Sequence, residues 1–259
     1  MKAFSVDFVG SLALFKKNDA NDMVHISYNF IHKPMLLGLF GAILGLSGYS
    51  KSGKGKFPVF YQKLKNLKLA IKPYYNKPLK KVITGFNNAS GLASDKSGEG
   101  RTWQIREQVL VGEPEIRYRV FVLMDENIEE LIKLQSMLKN YKTTYPLYFG
   151  KNEFFAHYEN YQEYKIEEIK ISPEKIVFNS LVIDDNFEEK EFDFDDFDPF
   201  DVSANNEYSI YENLPIDFDE YGFYKKEILR LTNKALSLRY DDDFYKLKNK
   251  KKEYNVQFI

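Results

Sequence analysis

Apolar positions recur along this chain with two different periods, and the elements change where the period changes. Over residues 2–10, Phe4, Val6 and Phe8 alternate with Ser5 and Asp7, which predicts a strand. Residues 33–46 are apolar all the way round a helical projection. Pro34 sits in the first turn, where its missing N–H costs nothing, so the reading is a helix buried on most sides. Gly38, Gly41 and Gly45 weaken that helix but let another backbone come close, and Gly48 with Tyr49 reads as its end. Residues 64–72 set Leu64, Leu67, Leu69 and Ile71 among lysines and predict a second strand.

Residues 81–100 then turn polar and glycine-rich, order resumes over 103–110, and IRYRVFVLM (116–124) reads as a strand. Residues 126–141 return to the helical period through Ile128, Leu131, Ile132, Leu134 and Leu138. Residues 145–158 read as strand, turn at Gly150, and strand, with further strands expected at 165–171 and 175–183. In order, the first 160 residues run strand–helix–strand–strand–helix–strand, the ferredoxin-like arrangement. The polar excursion over 80–115 falls between its second and third strands. It is far longer than a hairpin loop of about two to five residues, which marks an insertion.

At 259 residues the chain can bury one substantial core, or one domain with a smaller appendage. It has no cysteine, which excludes a disulfide, a zinc–thiolate site and a cysteine nucleophile, and fits a reducing cytoplasm. The apolar stretch 8–15 follows Asp7 and lacks a cleavage site, so it is not read as a signal peptide. The stretch 34–49 is shorter than the roughly 20 residues that span a bilayer. A cytoplasmic protein with no membrane partner is expected.

Charge changes the picture more. The net charge of −1 hides a segregation: residues 1–120 carry a net +11, 121–183 a net −3, 184–221 a net −14 and 222–259 a net +5. A basic half suits a polyanionic partner, although a solvated lysine-rich surface would look the same.

The sequence GYSKSGK (48–54) imitates a phosphate-binding loop, but Gly55 stands where a Ser or Thr would hold magnesium, and the loop follows a helix instead of a strand. Asp193, Asp195, Asp196 and Asp198 lack the glycine and distal glutamate of a calcium loop. His25, His32 and His157 show no metal-ligand spacing, so neither metal nor cofactor is expected. His32 beside Lys33 could form a general-base and cation pair for RNA cleavage, or be structural. Arg101, Trp103 and Arg106 cluster at the end of the excursion, and Arg117 and Arg119 share one face of the next strand. Two readings stand: base stacking with phosphate neutralisation, or a core tryptophan with arginines paired to Glu107, Glu113 and Glu115.

Several stretches together resemble one family: KAFSVDFVGSLALF, SYNFIHKPMLLGLFGAILGL (27–46), RTWQIREQVLVGEPEIRYRVFV, YPLYFGKNEFFAHY (145–158) and ENLPIDF (212–218). They look like the CRISPR-associated Cas family five in its subtype I-B form, within the RAMP superfamily of RNA-recognition-motif-like proteins. The resemblance implies an α+β fold: a ferredoxin-like (RRM-like) palm over 1–160, with a β-hairpin thumb inserted at about 80–115. A β-rich C-terminal extension over 161–259 would complete it; the acidic segment 184–221 within that extension is not part of the resemblance and is read as a protein-partner contact. It also implies a non-catalytic subunit of a type I Cascade complex that grips the 5′ repeat-derived handle of crRNA and caps the filament. Its partners would be that handle, the backbone subunit and the large subunit, with target DNA reached only through the complex.

Carried over by position, Ser27, Tyr28, Lys33, Gly150, Lys151 and Asn152 would line the palm. Trp103, Arg106 and Arg117 would lie on or beside the thumb. The subtype I-C branch cleaves precursor crRNA with a tyrosine and a lysine–histidine pair. Here Tyr28 could match the tyrosine, but no such pair follows the thumb, which favours binding. The rival readings are a metal-independent endoribonuclease using Tyr28 and His32, and a protein–protein scaffold built on the acidic segment.

Overall fold

A computed structural model describes residues 2–18, 24–51, 57–88, 103–188, 207–241 and 243–259. Arg101, the Trp103 side chain, the positions Gly53, Lys54 and Gly55, and the acidic run 191–200 lie outside the described residues.

Strand β1 (Lys2–Ala13) is the centre of the main sheet, and its residues from Ala3 to Gly10 are all buried. After the short β2 (Val24–His25), α1 (Lys33–Leu44) and α2 (Val59–Leu64) lead to β3 (Leu69–Pro73). Then come β4 (Lys80–Asn88), β5 (Trp103–Leu123), α3 (Glu129–Lys139), β6 (Leu147–Tyr148) and β7 (Phe155–Glu168). β1 pairs antiparallel with β7 on one side and β5 on the other, and β3 pairs antiparallel with the far edge of β5. The spatial order β7-β1-β5-β3, with α1 and α3 as the two connections, is the ferredoxin-like order of a split βαβ unit. The mixed α+β palm expected from the sequence is present.

The excursion is a hairpin. β4 runs antiparallel to the first half of β5, from Lys80 opposite Val111 to Asn88 opposite Trp103, while the second half of β5 lies in the palm. One strand therefore serves both parts. Between the pairs Gly10–Ile116 and Leu12–Val111, the single residue Ser11 faces Gly112 to Glu115, so β5 bulges where hairpin meets palm.

The helices fill one face of the sheet. Leu36, Leu37, Phe40 and Ile43 of α1 and Leu131, Leu134 and Leu138 of α3 are at most 1% exposed, against Phe4, Val6 and Phe8 of β1. Burying each such side chain contributes about 1.5–3 kcal/mol. A Cβ on Gly41 would stand 2.5 Å from Phe60 Cβ, so this glycine sets how closely α1 and α2 pack. The helix ends earlier than expected, at Gly45, whose φ of 76° turns the chain out of the helix.

The C-terminal region packs on both faces: Leu214, Leu229 and Leu231 join the helix-side core, while the last two strands cover the opposite face. β8 (Ile176–Val177), β9 (Val182–Ile183), β10 (Ser209–Phe218), β11 (Tyr224–Thr232) and β12 (Ala235–Leu236) form two small sheets. β13 (Phe244–Lys248) and β14 (Glu253–Gln257) extend the main sheet beyond β7, and Tyr254, Val256 and Phe258 pack with Ala3, Phe121 and Tyr164. Within this face Arg119 grips Asp7 at both ends, Nε to Oδ1 at 2.6 Å and Nη2 to Oδ2 at 2.8 Å, and donates to the Tyr254 hydroxyl at 2.7 Å.

Three expectations need correction. Leu64 ends α2, so the strand read from 64 begins only at Leu69. The strand expected at 165–171 is the end of β7, and 175–183 yields two strands of two residues each. No helix among the described residues is long and apolar enough to cross a membrane.

Candidate nucleic-acid interface

Cations gather where the hairpin leaves the palm, and the fold brings them there from four parts of the sequence. Lys17 follows β1, and its Nζ lies 4.8 Å from the centre of the Tyr28 ring and 3.8 Å from Glu212 Oε1. Lys226, on β11, approaches the same ring at 5.9 Å. Lys81 on β4 donates to the Ser27 carbonyl at 3.4 Å. Burial lowers the Lys81 pKa; Glu212 opposes that shift and Lys17 adds to it.

On the inner part of the hairpin, Lys151 donates to Glu107 Oε2 at 2.8 Å, and His25 Nδ1 lies 3.2 Å from Oε1 of the same carboxylate. Glu107 is 3% exposed, so both of its oxygens have a partner as burial requires. The Lys151 ammonium also sits 4.2 Å from the centre of the Phe86 ring. The β6–β7 turn that carries Lys151 depends on Gly150. Its φ is 87°, and a Cβ there would stand 1.9 Å from the Leu14 carbonyl oxygen.

The residues expected to touch RNA fall into three groups. Lys151, Asn152 and Arg106 are partly or fully exposed, with Arg106 on the hairpin between Gly85 and Val24. Ser27, Tyr28 and Gly150 are positioning elements. Ser27 is fully buried, accepts from the Phe15 N–H at 3.0 Å and donates to the Tyr28 carbonyl at 2.8 Å, and Tyr28 is 1% exposed. Lys33 is half-buried at the start of α1, and burial pulls its pKa down. Arg117 is engaged by carboxylates: Glu115 at 2.7 Å, Glu159 at 2.6 Å and Asp7 at 3.3 Å. The arginine–carboxylate reading thus holds for Glu115, while Glu107 pairs with Lys151 and His25, and Glu113 with Lys80 at 3.4 Å. Trp103 begins β5, and its side chain lies outside the described residues.

The sequence alone does not single out Lys17, Lys81, Lys226, Phe86 or Glu212. Lys81 and Phe86 lie in the excursion, five residues apart on β4 and so on opposite faces of that strand. Glu212 gives no local signal. It is 9% exposed and accepts the backbone N–H groups of Asn29 at 2.8 Å and Phe30 at 3.2 Å.

The Tyr28 and His32 rings meet edge to face, 5.5 Å between centres, and both are 1% exposed. Burial pushes the His32 pKa down to about 3. Among the described residues no group of three or more His, Asp or Glu could hold a metal ion.

No protein-family model matches the sequence, and no curated protein matches it. Solved structures do match in shape. A chain of a CRISPR RNA-guided surveillance complex aligns with a TM-score of 0.49 and 13% identity, over 90% of this chain and 91% of that one. A CRISPR protein from Archaeoglobus fulgidus aligns with a TM-score of 0.48 and 10% identity, over 99% of both chains. A chain of a Type III-B Cmr-beta complex bound to cognate target RNA and AMPPnP aligns with a TM-score of 0.46 and 13% identity, over 91% of this chain and 86% of that one. Similarities at this distance assign no function.

Proposed function

We propose that this protein is a non-catalytic RNA-binding subunit of a CRISPR surveillance complex, holding the 5′ handle of crRNA at the base of its hairpin. The observation that carries the reading is a pair of lysine groups where a two-stranded arm leaves a ferredoxin-like palm: Lys17, Lys81 and Lys226 beside Ser27 and Tyr28, and Lys151 beside Phe86. Lysines neutralise phosphates and release counterions, while the inserted arm supplies reach. The family resemblance of the sequence supports the CRISPR attribution, the type I-B assignment, and the backbone and large subunits as partners.

A binding role also suits the state of the two rings a nuclease would need. A general base must reach the proton it removes and be basic near the working pH. His32 is enclosed and far less basic than an ordinary histidine.

The test is retention of labelled precursor crRNA by the purified chain in EDTA across a salt series. Handle-dependent, salt-sensitive binding without cleavage is expected. Cleavage within the repeat that is lost in Tyr28→Phe or His32→Ala would replace this reading with a nuclease.

A further inference from the structure

Three titratable groups from three elements meet on one side of the hairpin: His25 on β2, Glu107 on β5 and Lys151 in the β6–β7 turn. The Glu107 carboxylate joins them. Its Oε2 accepts from Lys151 Nζ at 2.8 Å, and its Oε1 lies 3.2 Å from His25 Nδ1. The Glu107 side chain is 4% exposed, while those of Lys151 and His25 keep 26% and 16%. The acid is sealed in, and solvent or a ligand reaches only its two partners.

The charge that Lys151 offers therefore depends on the state of His25. With the imidazole neutral, one carboxylate faces one ammonium, and the trio presents no net charge to a phosphate. With the imidazole protonated, two cations share one carboxylate and the trio is positive. His25 then serves as the counter-ion, and Lys151 can turn its donors outward without leaving a buried carboxylate unpaired. The Phe86 and Phe154 rings, 4.2 and 5.8 Å from the ammonium, flank the space in which it turns. Histidine is the side chain whose ordinary titration falls nearest neutrality, so this is an exchange that physiological pH can drive.

The other charged groups near His25 do not compete for this role. Arg106, next to Glu107, projects from the opposite face of β5. Lys16 and Lys17 lie on the neighbouring segment, where Lys16 bridges Ser27 and Lys17 is turned to Tyr28 and Glu212. Among the described residues no carboxylate besides Glu107 pairs with either His25 or Lys151.

We propose that His25 is a proton-linked residue of the RNA interface: a phosphate bound by Lys151 draws a proton from solvent onto His25, which takes over Glu107. The proposal deepens the RNA-binding reading above and rests on it. Linkage is reciprocal, so RNA binding tightens as pH falls through the titration of His25, by at most about tenfold per pH unit for one proton.

The experiment measures affinity of the full chain for a labelled single-stranded CRISPR-repeat RNA at about pH 8 and about pH 6, at one fixed salt concentration. The readout is the ratio of the two dissociation constants. Wild type is compared with His25→Gln, His25→Lys and Lys151→Ala, and with His157→Gln as a control for a histidine whose side chain is 64% exposed. Melts by circular dichroism at both pH values confirm that each is folded. Wild type should bind roughly fivefold tighter at the lower pH, and His157→Gln should keep that ratio. In His25→Gln and in Lys151→Ala the ratio should fall close to unity. His25→Lys, a cation at both pH values, should also lose the ratio and should bind more tightly than wild type at the higher pH. Wild-type binding that does not change with pH overturns the proposal, and so does a gain that survives in His25→Gln. A gain that survives in Lys151→Ala overturns it as well, since His25 would then act without the lysine. In each of these cases the RNA-binding reading stands, whereas absence of RNA binding by wild type at both pH values would overturn the functional reading itself.

Discussion

The Glu212 carboxylate accepts the backbone N–H of Asn29 at 2.8 Å, joining positions 183 apart in sequence. It fixes the segment that presents Tyr28 to Lys17. Burial raises the Glu212 pKa, and the N–H groups of Asn29 and Phe30 with Lys17 and Lys81 only partly offset it. For a carboxyl whose folded pKa is raised, the associated stability is present below the ordinary glutamate range and lost as pH rises through the folded value.

At pH 7, Glu212→Ala should therefore lose about 1–3 kcal/mol, because it orphans buried N–H groups. Glu212→Gln keeps an accepting oxygen and no longer buries a charge, so it should stay near wild type. Urea denaturation of both variants checks the order; equal losses would mean that the charge, not the acceptor, is what matters.

Arg119 and Asp7 form a buried pair, their side chains 7% and 2% exposed. Arg119→Leu leaves the buried Asp7 carboxylate with only Arg117 Nη1 at 3.3 Å and the Asn160 amide at 3.0 Å, and should destabilise by about 3 kcal/mol. The double variant Asp7→Leu/Arg119→Leu should recover much of that loss. A double variant no better than the single one would argue against an electrostatic origin.

His32 makes stability pH-dependent in a defined window. Its folded pKa is about 3, against 6.5 for an ordinary histidine. The unfolded chain therefore takes up a proton that the folded chain refuses, and stability present above pH 6.5 is lost as pH falls. Between pH 6.5 and 5 the loss is about 2 kcal/mol. His32→Phe should remove this pH dependence from the unfolding free energy measured by urea denaturation at pH 5 and 6.5.

At the interface, Lys17→Ala and Lys81→Ala should each weaken RNA binding and lower the salt slope by about one unit. Lys151→Ala should do the same and also leave Glu107 with His25 alone, so its melting temperature must be measured alongside. Binding that weakens with an unchanged salt slope would show that these lysines do not face phosphate.

Much of the palm is legible in the sequence because its elements carry strong local periodicity. β1, α1 and α3 need nothing beyond their own spacing, and Gly150 falls in the turn that the surrounding apolar runs predict. What is not legible depends on distant contacts. α2 has six residues and buries only Tyr61 and Leu64, too little to show a helical period beside the lysine–leucine run that follows. The sequence from Gly112 to Glu115 reads as a break, yet the backbone passes through it as a bulge within one strand of 21 residues. Glu212 sits among acids that look solvated, and only the fold brings it to Asn29.

The pairing of β1 also governs how the chain is made. Phe8 sits opposite Tyr118 on one side and Tyr158 on the other, so β1 has no complete set of neighbours until β7 has emerged. At synthesis rates of about 5–20 residues per second, a strand apolar on one face and unpaired at both edges waits about 8–30 seconds for its partners. The exposure of β1 during synthesis thus lasts until β7 arrives, and faster translation should raise the soluble yield.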